Sequence, residues 1–413
     1  MLLIINAAQI VTMSGPIGPR RGKAMGEIGC LGKDHAVLMN GEKIEAVGPY
    51  AQVRKKTEGR QVQELDAAGR VMMPGFVDSH SHAVFAASRL KDFEMRAQGA
   101  GYEQIAAQGG GIKRSVEDLR AAPEKNLEVH LERWARRALS YGITTMEIKS
   151  GYGLELEAER KMLSVMASVK TPLEIIPTFL GAHALAKEYE ADREGYIDYL
   201  CERMIPELSG LAKFCDIFCD EGYFNRDEAR RILLRAQELG YGLKLHAEQL
   251  HHTGGAYLGY KLGAVSVDHL DCITDGDMKF LAGSDTMATL CPGSNFFLAT
   301  KRYPPARKMI DKGLAVALAT DFNPGTSPTV NMSFILSLAV NQMKLKPEEA
   351  LVAATINGAH ALALGRKLGS LEAGKQADLI VLDVSDYREI PYYFAVNMVC
   401  GVVKKGHVVF WNG

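Results

Sequence analysis

The chain has almost no net charge: 48 Lys+Arg stand against 49 Asp+Glu over 413 residues, a balance of -1. So even a mixture gives no field to draw the protein toward nucleic acid or an anionic membrane, and neither is expected as a partner. Long apolar runs are missing too, none approaching the roughly 20 residues that span a bilayer. The opening MLLIINAAQIV lacks a basic stretch before its apolar residues and a small-residue cleavage signal, so it reads as a strand rather than an export signal. Cysteine is sparse and unpatterned. Cys30, Cys201, Cys215, Cys219, Cys272, Cys291 and Cys400 are odd in number and never spaced as a zinc ribbon or a redox pair. A reducing cytoplasm is the expected home, with Cys215 and Cys219 packing as small hydrophobes in one strand.

What is present is ordinary for a soluble globular protein, 47% hydrophobic and 23% charged residues. The length suffices for a barrel-sized core plus a smaller domain. Residues 1 to 73 alternate short strands with turns, LLIINAAQIV, a Gly/Pro-rich loop from Ser14 to Gly32, HAVLMN, Asn40-Gly41 and KIEAVG. Asn-Gly between β-type runs signals a hairpin. This unit is too small to bury a core alone, and its completion is expected in residues 369–413, where ADLIVLDV and NMVCGVVKKGHVVFWNG again alternate strand and turn. The two ends would form one composite β-sandwich around a domain of residues 74–368.

In that central segment eight candidate strands recur: Phe76 to His82, Ile143 to Ser150, Glu174 to His183, Phe214 to Glu221, Leu243 to Glu248, Val265 to Leu270, Thr286 to Pro292 and Ala315 to Asp321. Amphipathic helical stretches lie between most of them, such as Leu119 to Tyr141 and Asp227 to Leu239, the latter opened by Asn225 as cap. Eight βα repeats favour a closed (β/α)8 TIM barrel, class α/β, over an open doubly wound sheet.

A barrel of this kind works at the carboxyl ends of its strands, and five of the eleven histidines fall there. VMMPGFVDSHSH (Val71 to His82) runs an apolar strand into His80 and His82, whose i, i+2 spacing turns both imidazoles to one side. His246 in LHAEQL and Asp321 in ATDFNPG complete three nitrogen ligands and one oxygen. One zinc or iron ion per subunit is the expected cofactor, with room left for water. An open site of this kind lowers the pKa of bound water from 15.7 toward about 7, so hydrolysis is the natural reaction. Asp321 could take the water's proton with its second oxygen. His269 could hold the water, orient Asp321 or polarise a carbonyl, and as a supporting histidine it would look identical in sequence. Lys149 could bridge two metals, yet it falls on the second strand, and FCDIFCDEG on the fourth offers no lysine, which favours one ion. His35, His130, His251, His252 and His407 read as surface or packing residues, and His360 as part of a helix from Glu348 to Leu364. Gly109-Gly110-Gly111 lacks the lysine of a phosphate loop and reads as a flexible active-site segment.

VMMPGFVDSHSH, with ATINGAHALALG and GSLEAGKQADLIVLD (Ala354 to Asp383), resembles the amidohydrolase superfamily. That resemblance implies a (β/α)8 barrel bearing a metal site and a β-sandwich made from both chain ends. HSHAVFAASR, YEQIAAQGGGI, EIKSGYG, TFLGAHA, LHAEQL and ATDFNPGTSP are similar to a narrower group that opens the cyclic amide of 4-imidazolone-5-propanoate, giving N-formimidoyl-L-glutamate. The same resemblance implies a homodimer and carries over His80, His82, His246 and Asp321 as metal ligands. It makes Arg89, Tyr152, His183 and Gln249 substrate contacts, sets Asn323, Gly325 and Thr326 around the substrate or product, and leaves the catalytic role of His183 open. Tyr102 is a weaker candidate contact. A guanidinium suits a propionate carboxylate, and an amide or imidazole suits the ring. Four positions depart from the pattern: Ser81 for threonine, Ala86-Ala87 for a glycine pair, and Gln249 where some members have glutamate. Glutamine is no base near pH 7, so proton transfer falls to Asp321 and His269. Two alternatives stand: another mononuclear cyclic amidohydrolase or nucleobase aminohydrolase, for which Arg89 would have no carboxylate to hold, and a non-catalytic barrel scaffold, which would hold no metal.

Overall fold

All eight expected barrel strands form in the computed structural model, which describes residues 1–100, 104 and 108–412. In chain order they are Phe76–Asp78, Ile143–Lys149, Glu174–Ala182, Phe214–Cys219, Gly242–Ala247, Ser266–His269, Met287–Leu290 and Val316–Leu318, each parallel to the next. The ends of the sheet then meet. Asp321 N donates to His80 O at 2.9 Å and His82 N to Phe322 O at 2.8 Å, so the chain past strand eight pairs with the chain past strand one. That seam closes the barrel and excludes the open-sheet alternative.

Strands two and four are buried along their whole length and strand five from Leu243 onward, as both faces of a barrel sheet require. Between strands four and five, helix Arg226–Glu238 starts with a capping box: Asn225 Oδ1 accepts from the backbone N–H groups of Asp227 and Glu228, both at 3.0 Å, and Glu228 accepts from Asn225 N. Two helical expectations need correction. The stretch read as Leu119 to Tyr141 is two helices, Ile112–Ala121 and Glu124–Ser140, because Pro123 cannot donate within a helix and forces Ala122 into extended backbone. The stretch read as Glu348 to Leu364 is likewise Pro347–Ala353 and Ile356–His360, broken at Thr355. Here the second helix turns to meet the barrel: Asn357 Nδ2 donates to Val316 O at 2.8 Å and to Arg20 O at 3.0 Å, and a Cβ at Gly358 would press on Val77 O.

The opening segment read as one strand is two, Leu2–Ile5 and Gln9–Val11, separated at Asn6 (φ 59°), and they join different sheets. One sheet has four strands, in the order Lys43–Pro49, His35–Asn40, Leu2–Ile5, Gln63–Asp66; the other has six, in the order His407–Trp411, Val399–Lys404, Leu379–Leu382, Val71–Pro74, Gln9–Val11, Cys30–Leu31. The six-stranded sheet thus interleaves both chain ends, with Ile4, Ile10, Met39, Met72, Leu379 and Val381 in one apolar cluster between the layers. Among the described residues no helix is long and apolar enough to cross a membrane, and all seven cysteines are free.

Sandwich and barrel are clamped at Glu174, which opens strand three. Its carboxylate meets Lys404 Nζ at 3.0 Å, Lys367 Nζ at 2.8 Å and Gln376 Nε2 at 2.7 Å. Partial burial alone would raise its pKa, but the two ammonium groups and the amide outweigh that and hold it at about 2. A carboxylate depressed in the fold adds stability that is complete above its unfolded pKa and is lost as pH falls toward 2. We therefore expect Glu174→Gln to lower stability by up to about 3 kcal/mol at pH 7, with the difference closing between pH 5 and 2 in denaturant titrations.

Candidate metal centre and active site

Four side chains from three barrel strand ends converge, and the closing seam explains how. His80 and His82 follow strand one at alternate positions, Asp321 is tied to His80 across the seam, and His246 lies in strand five. Asp321 takes a positive φ of 51° and His269 one of 78°, departures from ordinary backbone of the kind that cluster at working sites. His246 Nε2 lies 3.4 Å from His82 Nε2, while Asp321 Oδ1 lies 3.7 Å from His80 Nε2 and 3.6 Å from His82 Nε2.

These spacings test whether the residues suit a metal. Nitrogen and oxygen ligands at roughly 2.0–2.2 Å in a tetrahedron sit about 3.3–3.6 Å apart along its edges, close to the separations found. His80 Nε2 is buried without a hydrogen-bond partner, and the two facing Nε2 atoms of His82 and His246 come from rings that point lone pairs or protons at each other. Burial holds His80 and His82 well below the usual imidazole range, reinforced by Lys149 and His246 for the first and by His183 and His246 for the second. Both rings are then neutral, the form that ligates a cation. The donor set fits one ion.

Behind the candidate ligands stands a layer of which the sequence reading weighs only Lys149. His80 Nδ1 faces Asp268 Oδ2 at 2.6 Å and His246 Nδ1 faces Asp216 Oδ1 at 3.2 Å, the carboxylate–histidine pairing that fixes ring orientation at metal sites. Lys149 Nζ lies 2.6 Å from Asp216 and 2.9 Å from Glu147; Lys244 Nζ lies 3.1 Å from Glu147 and donates to Ser79 O at 2.9 Å. Burial would lower the Lys149 pKa, but Asp216, Glu147 and Asp268 outweigh it and raise it, so the ammonium persists. The signal was legible as charge inside apolar strands: EIK, CDIFC, LKLH and SVDH place Glu147, Lys149, Asp216, Lys244 and Asp268 where alternation calls for core.

The remaining expected residues divide. His183 stacks on His82, with centroids 5.1 Å apart, and Nδ1 meets Gly151 O at 2.9 Å; burial takes its pKa down to about 3. His269 lies 5.1 Å from His80 and 5.2 Å from His246 by ring centroid, with both ring nitrogens buried and unpartnered. Tyr152 is buried 6.1 Å from His82, and the Arg89 guanidinium sits over its ring at 5.9 Å. Arg89 Nε donates to Ser115 Oγ, and among the described residues no carboxylate forms an ion pair with Arg89. A Cβ at Gly325 would run into that guanidinium, so glycine is the residue that lets Arg89 lie there. Asn323 serves its own loop: its side chain accepts from Gly325 N and Thr326 N and donates to Thr326 Oγ1 and Asp321 O. Gln249 is half-buried just after strand five, and Tyr102 lies outside the described residues, as do the other residues of 101–103 and 105–107. Arg96, not singled out from the sequence, donates to Gly325 O at 3.4 Å beside Arg89. His251 and His252 are about half exposed and pair with Asp220 and Asp277, apart from the centre.

Known proteins resemble this chain throughout. The model of the amidohydrolase family matches residues 226–409. An imidazolonepropionase of Symbiobacterium thermophilum is 44% identical over 425 residues, covering 100% of this chain and 98% of the relative. Those of Solibacter usitatus and Porphyromonas gingivalis are each 42% identical, covering 98% and 100% of this chain and 98% of each relative. Among solved structures, a zinc-bound adenosine deaminase from Xanthomonas campestris aligns with a TM-score of 0.74 at 19% identity, covering 100% of this chain and 93% of that one. A triazine hydrolase variant aligns at 0.75 and 17%, covering 100% and 95%. At such identities the likeness is one of fold. With relatives this close over the whole length, the chain belongs to the imidazolonepropionase family of amidohydrolases.

Proposed function

We propose that the chain hydrolyses the cyclic amide of 4-imidazolone-5-propanoate to N-formimidoyl-L-glutamate, with His80, His82, His246 and Asp321 holding one zinc or iron ion. The observation that carries this reading is the Arg89 guanidinium, with no ion pair among the described residues, set over Tyr152 on the same side of the barrel as His82. A guanidinium offers paired hydrogen bonds to a propionate carboxylate, and the Tyr152 hydroxyl can add a third contact. His183, neutral and held by Gly151 O, would present its free ring nitrogen to the substrate ring, with Gln249 as a second polar contact.

In the reaction water adds to the ring carbonyl carbon and the carbon–nitrogen bond breaks. The bound ion would supply Lewis acidity and make water acidic enough to react near neutrality. Asp321 would accept the water's proton and return it to the departing nitrogen, while His269, 5.1 Å from His80, would donate toward the carbonyl oxygen as charge develops there. Asp216 and Asp268 would keep His246 and His80 aimed at the ion.

The test compares substrates. Purified protein should release N-formimidoyl-L-glutamate from imidazolonepropionate and leave neutral nucleobases untouched; deamination of adenine or guanine at a higher kcat/KM would favour the aminohydrolase reading instead. The cytoplasmic setting belongs to the same proposal, supported by seven free cysteines, and so does a homodimer, supported by exposed Tyr392, Phe394 and Val396.

A further inference from the structure

We infer that the ammonium groups of Lys149 and Lys244 occupy a second cation position behind the candidate metal centre, so that the chain itself supplies the charge a second divalent ion would bring. Five charged side chains, Glu147, Lys149, Asp216, Lys244 and Asp268, are all fully buried in the barrel. Ligand atoms of His80, Glu147 and Asp268 lie within 4.8 Å of one another, a grouping able to hold a metal ion. The space among these acids is filled by nitrogen. Lys149 Nζ reaches Asp216 at 2.6 Å, Glu147 at 2.9 Å and Asp268 at 3.6 Å, and Lys244 Nζ reaches Glu147 at 3.1 Å and Asp268 at 3.7 Å.

Two features show charge at work beside the hydrogen bond that Lys149 Nζ donates to Glu147 Oε1 at 2.9 Å. Glu147 Oε2 and Asp216 Oδ2 are buried and make no aligned hydrogen bond, although an ammonium lies beside each. And two ammonium groups carry the same total charge as one divalent ion, set against three carboxylates. Oxygen donors of this kind suit a hard cation such as Mn2+. Lys149 and Lys244 are thus positioning residues: they hold Asp216 and Asp268, which in turn hold His246 and His80, and they keep the centre mononuclear.

The inference rests on the metal reading above, and the two can fail separately. Unaltered protein loaded with excess Zn2+ and Mn2+ and then desalted should retain one equivalent by elemental analysis; none at all would sink the metal centre itself. Lys149→Ala should retain a second equivalent, taken as Mn2+, and its Tm should rise with added Mn2+ while that of the unaltered protein stays put. Lys149→Met, which refills the space with an apolar stem, should remain at one. A second equivalent on the unaltered protein that disappears on Glu147→Gln would overturn the inference, as would a folded Lys149→Ala that gains neither the ion nor the Tm response. Should Lys149→Ala fold only when Mn2+ is present, that rescue at two ions supports it; failure to fold at every Mn2+ concentration counts against it.

Discussion

Asp321→Asn should lower kcat by about 10²–10⁴-fold while leaving the protein folded, because it removes a proton acceptor but preserves shape. Asp321 sits 3.6 and 3.7 Å from two candidate ligand nitrogens, and its carbonyl and Oδ1 both accept from Asn323 Nδ2. Those contacts to Asn323 fix the carboxylate so that one oxygen faces the histidines. An asparagine can keep an oxygen there, but it cannot carry a proton. Bound metal should be measured alongside the rate. A rate that falls only in step with lost metal would assign Asp321 to ligation alone, and an unchanged kcat at full occupancy would remove it from the chemistry.

The second large effect concerns recognition. Arg89→Met should raise KM for imidazolonepropionate and lower kcat/KM by about 30–1,000-fold, the cost of roughly 2–4 kcal/mol for leaving a desolvated carboxylate without its charged partner. The proposed binding role rests on a guanidinium that has a serine hydroxyl and an aromatic face as neighbours but no ion pair among the described residues. An analogue with a carboxamide in place of the carboxylate separates the two roles. It should be handled equally by parent and variant. If Arg89→Met loses as much on the carboxamide, the residue merely supports Gly325 and the surrounding loop.

Much of the candidate site and of the barrel is legible in the sequence. The histidine pair of VMMPGFVDSHSH declared itself through i, i+2 spacing after an apolar run, and the eight strands through apolar segments separated by helical ones. Both signals are local. Asn225 announced a helix start for the same reason, since a cap acts on N–H groups two and three residues away. The errors were non-local. The break at Thr355 follows from Asn357 bonding to Val316 and Arg20, residues 41 and 337 positions away. The split of the first strand follows from two sheets claiming its halves, which no property of LLIINAAQIV reveals.

The buried charges behind the centre mark the same boundary. Lys149 is visible in EIKSGYG, but one strand by itself does not tell a metal bridge from a buried ammonium. Its meaning depends on Asp216 and Asp268 in strands four and six, brought to its Nζ only when the sheet curls.

What the amino-acid order determined by itself is which groups are available and which way each strand presents them, because side-chain alternation and helix capping operate within a few bonds. Closure of the sheet decided the rest. It ties His80 to Asp321 across a gap of 241 positions, turns scattered carboxylates toward the backs of two histidines, and sets Arg89 against Gly325, since only a barrel returns its last strand to its first.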